Sequence, residues 1–368
     1  MTAGIIVVVG IIAMVMIHEG GHFLAAKATG MKATEFFFGF GPKLWSTKRG
    51  ETEYGVKAIP AGGYVRIVGM NLYEEVDPED EGRTYRERPF WQKSVVVLAG
   101  VASHFVVAFL LFYVVLTVFG VVQLTTEVGL VQETLDDDAT PSPALVAGLQ
   151  VGDTVVTFDG EPVEEWDELA GMIADRPGET VIIGVDRDGR IIDIEADLAS
   201  VDGDGTGKRG YLGISPGREE VRVGPLTGLA RAAGEVGSAT VVSVQGLWQL
   251  VSGFGDLVGA TLTGNTEDIA DNRPASPIGI VGLAADIGDI GFTLELLALV
   301  NVFVGIFNVI PIYPLDGGHF AVALYERIRG RPADVRKLAP VAAAVVVFMV
   351  LLGLLAVYLD ITDPLRLR

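Results

Sequence analysis

The sequence predicts a polytopic α-helical membrane protein with about four transmembrane helices, a membrane-associated β-hairpin and an extracytoplasmic α+β domain. Half of the 368 residues are hydrophobic and the mean hydropathy is +0.44, which is too apolar for an ordinary soluble protein. The apolar residues are concentrated in four long stretches. The region between the middle two stretches is strongly acidic and carries short helix and strand patterns, which indicates a separate domain.

The four apolar stretches are the predicted membrane spans. A helix needs about 20 mostly apolar residues to cross the hydrocarbon core of a bilayer, and residues 4–26, 94–122, 292–312 and 338–359 meet this length. The first stretch is expected to remain in the mature protein, because it lacks a basic start and a small-residue cleavage site. With their flanking residues, the predicted transmembrane segments are 1–28, 94–122, 291–318 and 338–360.

The net charge of −20 is unevenly distributed along the chain. Residues 123–290 hold 30 Asp and Glu against 9 Lys and Arg, residues 25–93 hold 10 against 11, and residues 319–338 hold two against five. By the positive-inside rule, the two basic-leaning loops face the cytoplasm and the acidic region lies outside. A strongly acidic exterior also argues against nucleic acid as a partner, because phosphate binding needs a basic surface.

Two cytoplasmic loops are predicted, at residues 29–93 and 319–337. In the first, residues 36–42 (FFFGFGP) are aromatic and glycine-rich, which is typical of either a stretch at the membrane surface or a small buried core. Residues 53–68 alternate between apolar and polar positions around a Pro-Ala-Gly-Gly turn signal at 60–63. This alternation predicts a β-hairpin.

The predicted exterior domain covers residues 123–200. Within it, residues 142–160 read SPALVAGLQVGDTVVTFDG, where a helix, a glycine turn, a strand and an Asp-Gly turn follow at short spacing. This pattern resembles a PDZ domain of the kind associated with bacterial proteases. The next segment, 201–290, is predicted to contain a Gly/Asp linker at 200–210 and an amphipathic helix at 226–263 along the outer membrane face.

The first span contains the pattern HExxH at His18, Glu19 and His22. On a helix, two histidines four residues apart project from one face, so both imidazoles can hold one zinc ion while Glu19 reaches a water on that ion. The alternative is two solvated histidines near a helix end. Three ionisable side chains inside an apolar span are expensive unless they are paired or functional, which favours the metal site. The chain has no cysteine, so any metal is held by His, Asp or Glu.

A catalytic zinc site takes three protein ligands and leaves one position open. Asp316 is the candidate for the third ligand. The third span ends in a stretch whose prolines prevent a regular helix and whose glycines permit close backbone approach. Irregular backbone at membrane depth is tolerated where it lines a cavity or is buried in protein. The alternative for Asp316 is an ordinary Asp-Gly turn at the membrane interface.

The motifs in combination resemble the site-2 protease family of intramembrane metalloproteases. HExxH lies in the first span, and the third span ends in NVIPIYPLDGGH at residues 308–319. The resemblance continues through GFGP at 39–42, EYGVKAIPAGGYV at 53–65, the PDZ-like pattern and PIGI at 277–280. It therefore extends over nearly the whole chain, and the combination is far more specific than any single motif.

The resemblance implies a function and a site. His18, His22 and Asp316 would bind zinc, Glu19 would be the general base, and Asn308 would help to hold the substrate backbone. The implied activity is cleavage of transmembrane segments of single-span proteins in regulated intramembrane proteolysis, with anti-sigma factors or remnant signal peptides as typical bacterial substrates. The expected location is the bacterial plasma membrane, in contact with lipid.

The chain departs from the family pattern at two places. Tyr313 stands where the third-span pattern usually has a second proline, and in the second span Val101 and His104 stand where the family often has proline and a following asparagine. We expect His104 to be a hydrogen-bonded group between helices, because polar side chains commonly bridge membrane helices. His319 is likewise expected at an interface and not as a ligand.

Other classes of function are disfavoured by the sequence. A metal-binding transporter should show paired internal repeats, and none is visible. A PDZ scaffold with a vestigial site should have lost a ligand or the base, yet all four residues are present. A protease with its zinc site outside the membrane would need a downstream glutamate as third ligand. The nearest candidate, Glu295, is expected at a different membrane depth from the two histidines.

Overall fold

The computed structural model describes residues 2–71, 74–135, 140–202, 207–263 and 273–363. The chain divides into two compact units. The larger unit comprises Met1–Phe119 and Val223–Arg368, and the smaller unit comprises Gly120–Arg222.

The helices are long in the larger unit and short in the smaller one. In chain order they are α1 (Thr2–Ala28), α2 (Phe90–Val114), α3 (Pro143–Ala147), α4 (Trp166–Ala174), α5 (Pro225–Ser252), α6 (Phe254–Thr263), α7 (Pro277–Ile287), α8 (Ile290–Val309), α9 (Asp316–Arg329) and α10 (Val335–Thr362). The strands are β1 (Ala33–Arg49), β2 (Thr52–Ile67), β3 (Val121–Val131), β4 (Thr154–Phe158), β5 (Glu161–Pro162), β6 (Thr180–Arg187), β7 (Arg190–Asp197), β8 (Ala199–Asp202), β9 (Lys208–Tyr211) and β10 (Ile214–Val221).

Within the described part of the chain, four helices are long and apolar enough to cross a membrane. They are α1, α2 with its π-helical continuation at Val115–Phe119, α8 and α10. Each contains most of one predicted span. The second and third predictions run a few residues too far, because a strand begins at Val121 and α8 ends at Val309. Which side of the membrane each loop faces stays a prediction.

The predicted hairpin at 53–68 is wrong in its pairing. Its two arms, 53–56 and 63–66, do not pair with each other, because residues 35–38 of β1 lie between them and pair with both. The tight turn lies earlier, where Arg49 pairs with Thr52 across two residues. Strand alternation in the sequence identified β-structure correctly, but it does not say which segment is the partner.

The aromatic segment 36–42, for which two interpretations were open, forms part of β1. Phe37 is fully buried, whereas Phe40, Leu44 and Trp45 are exposed. One edge of this sheet packs on the end of α1 and the start of α2 through a cluster of buried residues: Ala25, Ala26, Met31, Ala33, Ile67, Tyr85, Val96 and Val97. This cluster fixes the sheet next to the face of α1 that carries His18 and His22.

The smaller unit is a sheet with strand order β10-β3-β4-β6-β7 and the short helices α3 and α4. Its core is apolar and centres on fully buried residues such as Phe158, Leu169 and Ile183. The predicted boundary at residue 200 is wrong, because β10 pairs with β3 along its length and brings the unit to Arg222. The predicted linker at 200–210 contains the paired strands β8 and β9 within its described residues.

The predicted amphipathic helix at 226–263 is two helices. Helix α5 ends at Ser252, Gly253 is the residue between them, and α6 begins at Phe254. Helix α5 packs against α2 and α8, and it keeps large apolar side chains exposed, among them Leu226 and Trp248. The structure therefore contains the apolar exposed side that the sequence predicted, with a break that the periodicity did not reveal.

Candidate metal centre

His18 and His22 lie one turn apart on α1, with their Nε2 atoms 3.1 Å from each other. The Nδ1 atom of His22 lies 2.8 Å from the carbonyl oxygen of Val96 on α2. A carbonyl accepts hydrogen bonds, so Nδ1 carries the proton and Nε2 is left with its lone pair. Fixing the second ring nitrogen in this way is how proteins orient a histidine that binds a metal.

Two glycines allow α1 and α2 to approach closely at this point. A Cβ atom at Gly21 would lie 2.6 Å from the carbonyl oxygen of Ala99, and one at Gly100 would lie 2.3 Å from ring atoms of His22. Both distances are shorter than any van der Waals contact. The imidazole of His22 therefore occupies the space that a side chain at Gly100 would need.

Asp316 reaches the histidines from a break between two helices. Helix α8 ends at Val309, residues 310–315 form turns and bends, and Asp316 is the first residue of α9. A Cβ atom at Gly317 would lie 2.0 Å from the carbonyl oxygen of Val309, so this turn tolerates glycine and no larger residue. The sequence predicted this non-helical segment from its prolines and glycines.

The three side chains converge on one point. Asp316 Oδ2 lies 3.3 Å from His18 Nε2 and 3.3 Å from His22 Nε2, and the three candidate ligand atoms all lie within 4.8 Å of one another. Tetrahedral zinc with bonds of about 2.0–2.1 Å places its ligand atoms about 3.3–3.4 Å apart. The spacing therefore fits one zinc ion bound by all three residues.

The hydrogen bonding also fits a cation. Asp316 Oδ2 is buried and has no hydrogen-bond partner among the described residues. A buried carboxylate oxygen that faces imidazole lone pairs is unfavourable unless a positive charge lies between them. The site has the donor set and the electrostatics that a divalent ion needs.

Glu19 follows His18 on α1 and contacts β2. Its Oε2 atom accepts a hydrogen bond of 2.9 Å from the backbone N–H of Val65. Gly63, two residues earlier on β2, also lies against Glu19, because a Cβ atom built there would be 3.5 Å from Glu19 Cγ. The edge of the 63–67 arm of β2 therefore runs beside the predicted general base.

Asn308 lies in the last turn of α8 and is half-buried. It is not one of the three converging residues. Its predicted contact with a substrate backbone stays a prediction.

His104 bridges two helices, as the sequence predicted. It is buried on α2, and its Nδ1 lies 3.3 Å from Oδ1 of Asn301 on α8, whose Nδ2 donates to the carbonyl of Leu297. The His104 ring also contacts His18, with 4.8 Å between ring centroids. Sequence reasoning missed Asn301, although a polar residue in an apolar span was the signal that could have identified it.

His319 lies in the first turn of α9 and packs against Tyr313, with 4.8 Å between ring centroids. It is not one of the converging residues, in agreement with its predicted interface role. Tyr313 thus contributes an aromatic contact at the place where the family pattern usually has proline.

An ion pair connects α9, which begins with Asp316, to α2. Lys93 Nζ lies 2.9 Å from Glu326 Oε2, and Lys93 is buried. The other oxygen of Glu326 accepts from the backbone N–H of Ala333, at 3.1 Å. These contacts attach the end of α9 that is distant from Asp316 to α2.

Comparison with known proteins gives a family match over nearly the whole chain. The model of Peptidase family M50 matches residues 6–352. Zinc metalloprotease Rip1 of Mycobacterium tuberculosis is 34% identical over 405 residues, which cover 100% of this chain and 98% of that protein. Rip1 of Mycolicibacterium smegmatis is 33% identical over 397 residues, covering 97% and 96%. Metalloprotease MmpA of Caulobacter vibrioides is 29% identical over 357 residues, covering 87% and 85%.

Among solved structures, the PDZ domain of the SdrC-like protein from Listeria innocua is 26% identical and covers 26% of this chain and 97% of that chain, with a TM-score of 0.21. A score this low leaves the PDZ resemblance resting on the sequence pattern. The assignment to a family rests on the match to the family model and on the similarity to the Rip1 proteins. This chain therefore belongs to peptidase family M50, and it is a zinc metalloprotease.

Proposed function

We propose that this zinc metalloprotease is an intramembrane endopeptidase that hydrolyses peptide bonds within transmembrane segments of single-span proteins. One observation carries the proposal. The three candidate ligand atoms meet where α1, itself long and apolar enough to cross a membrane, faces the break that follows α8. Proteases of this family act on membrane-embedded proteins, and a metal site on a membrane-spanning helix is placed where such substrates lie.

In the proposed mechanism, His18, His22 and Asp316 hold the zinc ion. When bound, zinc polarises the scissile carbonyl and lowers the pKa of water. Glu19 takes the proton from the attacking water and passes it to the leaving amine. The N–H of Val65 orients the Glu19 carboxylate for this transfer, since it holds Oε2 at 2.9 Å.

Substrate presentation depends on β2 in this proposal. Peptide bonds in an intact helix are shielded by their own hydrogen bonds, so the substrate must unwind locally. The 63–67 arm of β2 pairs with β1 along one edge and runs beside Glu19 along the other. An extended substrate would pair by strand addition with the backbone groups of that second edge that Glu19 does not bind. Asn308 would hold the substrate backbone from the opposite side.

The proposed setting is the bacterial plasma membrane, with loops 29–93 and 319–337 in the cytoplasm and the smaller unit outside. Anti-sigma factors and remnant signal peptides are the proposed substrate classes. The smaller unit, as a PDZ-like domain, would restrict entry to substrates already shortened on the outside. The excess of Lys and Arg in the short loop 319–337 supports a cytoplasmic placement of that loop, and the order of the predicted spans then puts the smaller unit on the other side.

The test is Glu19→Gln in the full-length protein, co-expressed with a single-span substrate. We expect zinc content to be retained and cleavage to fall by about 10²- to 10⁴-fold, because general-base catalysis is lost. Glu295→Gln is the matched control, since Glu295 lies on α8 and should leave both zinc and cleavage unchanged. Equal cleavage by the wild type and Glu19→Gln would remove the proposed mechanism.

A further inference from the structure

We propose that a cavity beside the metal centre binds a lysine or arginine side chain on the cytoplasmic flank of the substrate's transmembrane segment. The cavity has a volume of about 720 Å³ and is lined by residues 64–67 of β2, Met70, Asn71, the pair Glu74 and Glu75, Tyr313 and His319. We name it the flank cavity. This inference rests on the proposed function, because it describes how a membrane-spanning substrate would be recognised.

The flank cavity adjoins the reacting groups through two of its walls. Val65 lines the cavity and also donates its N–H to Glu19. Tyr313 and His319 also line the cavity, and they stand three residues before and after Asp316. A substrate that lies extended along β2, with its scissile bond between Glu19 and Asp316, therefore passes its neighbouring residues over the cavity.

The charged groups of the cavity leave one negative charge uncompensated. Arg66 pairs with Glu74 at 2.8 Å and with Glu35 at 3.3 Å, and Lys57 lies 4.0 Å from Glu35, so these two cations balance these two carboxylates. The second oxygen of Glu74 accepts from the N–H of Gly69 at 2.8 Å, which fixes this carboxylate in the wall. Glu75 is exposed, and no described residue pairs with its carboxylate. The cavity is thus complementary to a cation.

The remaining lining suits the long stem of such a cation. Tyr313 contributes a ring, whereas the Tyr64 ring already packs against Phe37, Phe40 and the Lys57 ammonium. Val65, Ile67 and Met70 contribute apolar surface. Lysine and arginine bury their methylene stems on apolar surface while the charged group stays near water, and aromatic faces attract cations. An acidic or a short neutral side chain would gain neither contact.

The expected substrates carry the matching residue. Membrane spans have an excess of Lys and Arg on the cytoplasmic side, which is the side predicted for β2 and for the loop with Glu75. A basic residue close to the end of a substrate span would reach Glu75 once the segment has unwound next to Glu19. The cavity would then hold the substrate in register for cleavage.

The experiment uses the purified full-length enzyme with zinc and three single-span substrates that differ at one cytoplasmic flanking position, carrying Lys, Gln or Glu. For the wild type we expect kcat/KM for the Lys substrate to exceed that for the Glu substrate by about fivefold, as expected for one partly exposed ion pair. In Glu75→Gln this ratio should fall to about one, through KM, with the Gln substrate cleaved as before. Glu75→Lys should invert the preference.

Glu81→Gln is the matched control, because Glu81 is an exposed acid of the same loop that does not line the cavity. It should keep the wild-type ratio. A wild-type enzyme that does not distinguish the Lys and Glu substrates, or a Glu75→Gln variant that keeps the preference, would overturn the inference. Cleavage that survives Glu19→Gln would instead contradict the proposed function, so the two failures are distinguishable.

Discussion

Asp153 in the smaller unit and Asp316 in the larger one are both inaccessible to solvent over most of their surface, but their partners differ. Asp153 accepts from Arg187 at 2.6 and 2.7 Å and from the N–H of Gln150 at 2.8 Å. Asp316 faces two imidazoles, and its Oδ2 has no hydrogen-bond partner among the described residues. The first carboxylate is satisfied by protein and stabilises a fold. The second needs an ion, which is the mark of a functional group.

The comparison predicts that removing each charge has a different result, and the largest effect is expected at Asp316. Asp316→Asn should reduce bound zinc well below one ion per chain and cleavage by at least about 10³-fold, because the ion loses its one anionic ligand and its Lewis-acid chemistry. Elemental analysis of purified protein measures the zinc. If Asp316→Asn kept stoichiometric zinc, Asp316 would not differ from Asp153 in the way described above.

Asp153→Asn should leave zinc unchanged and destabilise the smaller unit by about 2–3 kcal/mol. The figure is below the about 3–5 kcal/mol of a fully buried pair, since Arg187 is a quarter exposed and remains partly solvated. Hydrogen exchange across residues 120–222 of the full-length protein measures the change. Loss of zinc in this variant would contradict the separation of the two roles.

The pair of Asp153 and Arg187 also makes the stability of the smaller unit depend on pH. The hydrogen bonds from Arg187 hold the pKa of Asp153 below its usual range. A depressed folded-state pKa stabilises the fold above the unfolded value of about 4, and this stabilisation is lost as the pH falls further. The Asn variant should therefore lack this loss below about pH 4, while the wild type shows it.

The smallest effect is expected at His104, which contacts the site without being one of its converging residues. His104→Ala should weaken zinc binding by about 10-fold, because His18 loses the ring that packs on it. Competition with a chelator measures the affinity. The control is Thr117→Val, since the Thr117 hydroxyl bonds to the backbone of Tyr113 in the continuation of α2, away from the converging residues. Equal affinities in both variants would show that the contact between His104 and His18 does not support the ion.

The sequence predicted those features that local chemistry determines. The spans follow from apolar length, and the shared face of His18 and His22 follows from helix geometry. The break before Asp316 follows from Pro311 and Pro314, which cannot continue a helix. Local sequence does not separate Asp316 from Asp153, since both stand beside glycine; here the family resemblance and membrane depth supplied the distinction.

The features that the sequence did not reveal depend on partners far along the chain. The arms 53–56 and 63–66 have the alternation of a hairpin, but residues 35–38 compete successfully for both. Likewise β10 joins the smaller unit because it pairs with β3, about ninety residues earlier. The role of Asn301 likewise depends on a distant residue, because its side chain contacts His104 on another helix. Pairing over such distances is a property of the packed fold and not of a sequence window.

The close approach at Gly21 and Gly100 restricts how the protein can admit a substrate. The ring of His22 occupies the space that a side chain at Gly100 would fill, and the backbone of Ala99 packs against Gly21. If α1 shifted or rotated along α2, the His22 imidazole would clash with the backbone of α2. We therefore expect the two helices to move together as one rigid body. An entrance wide enough for a substrate helix must therefore form by movement of other elements.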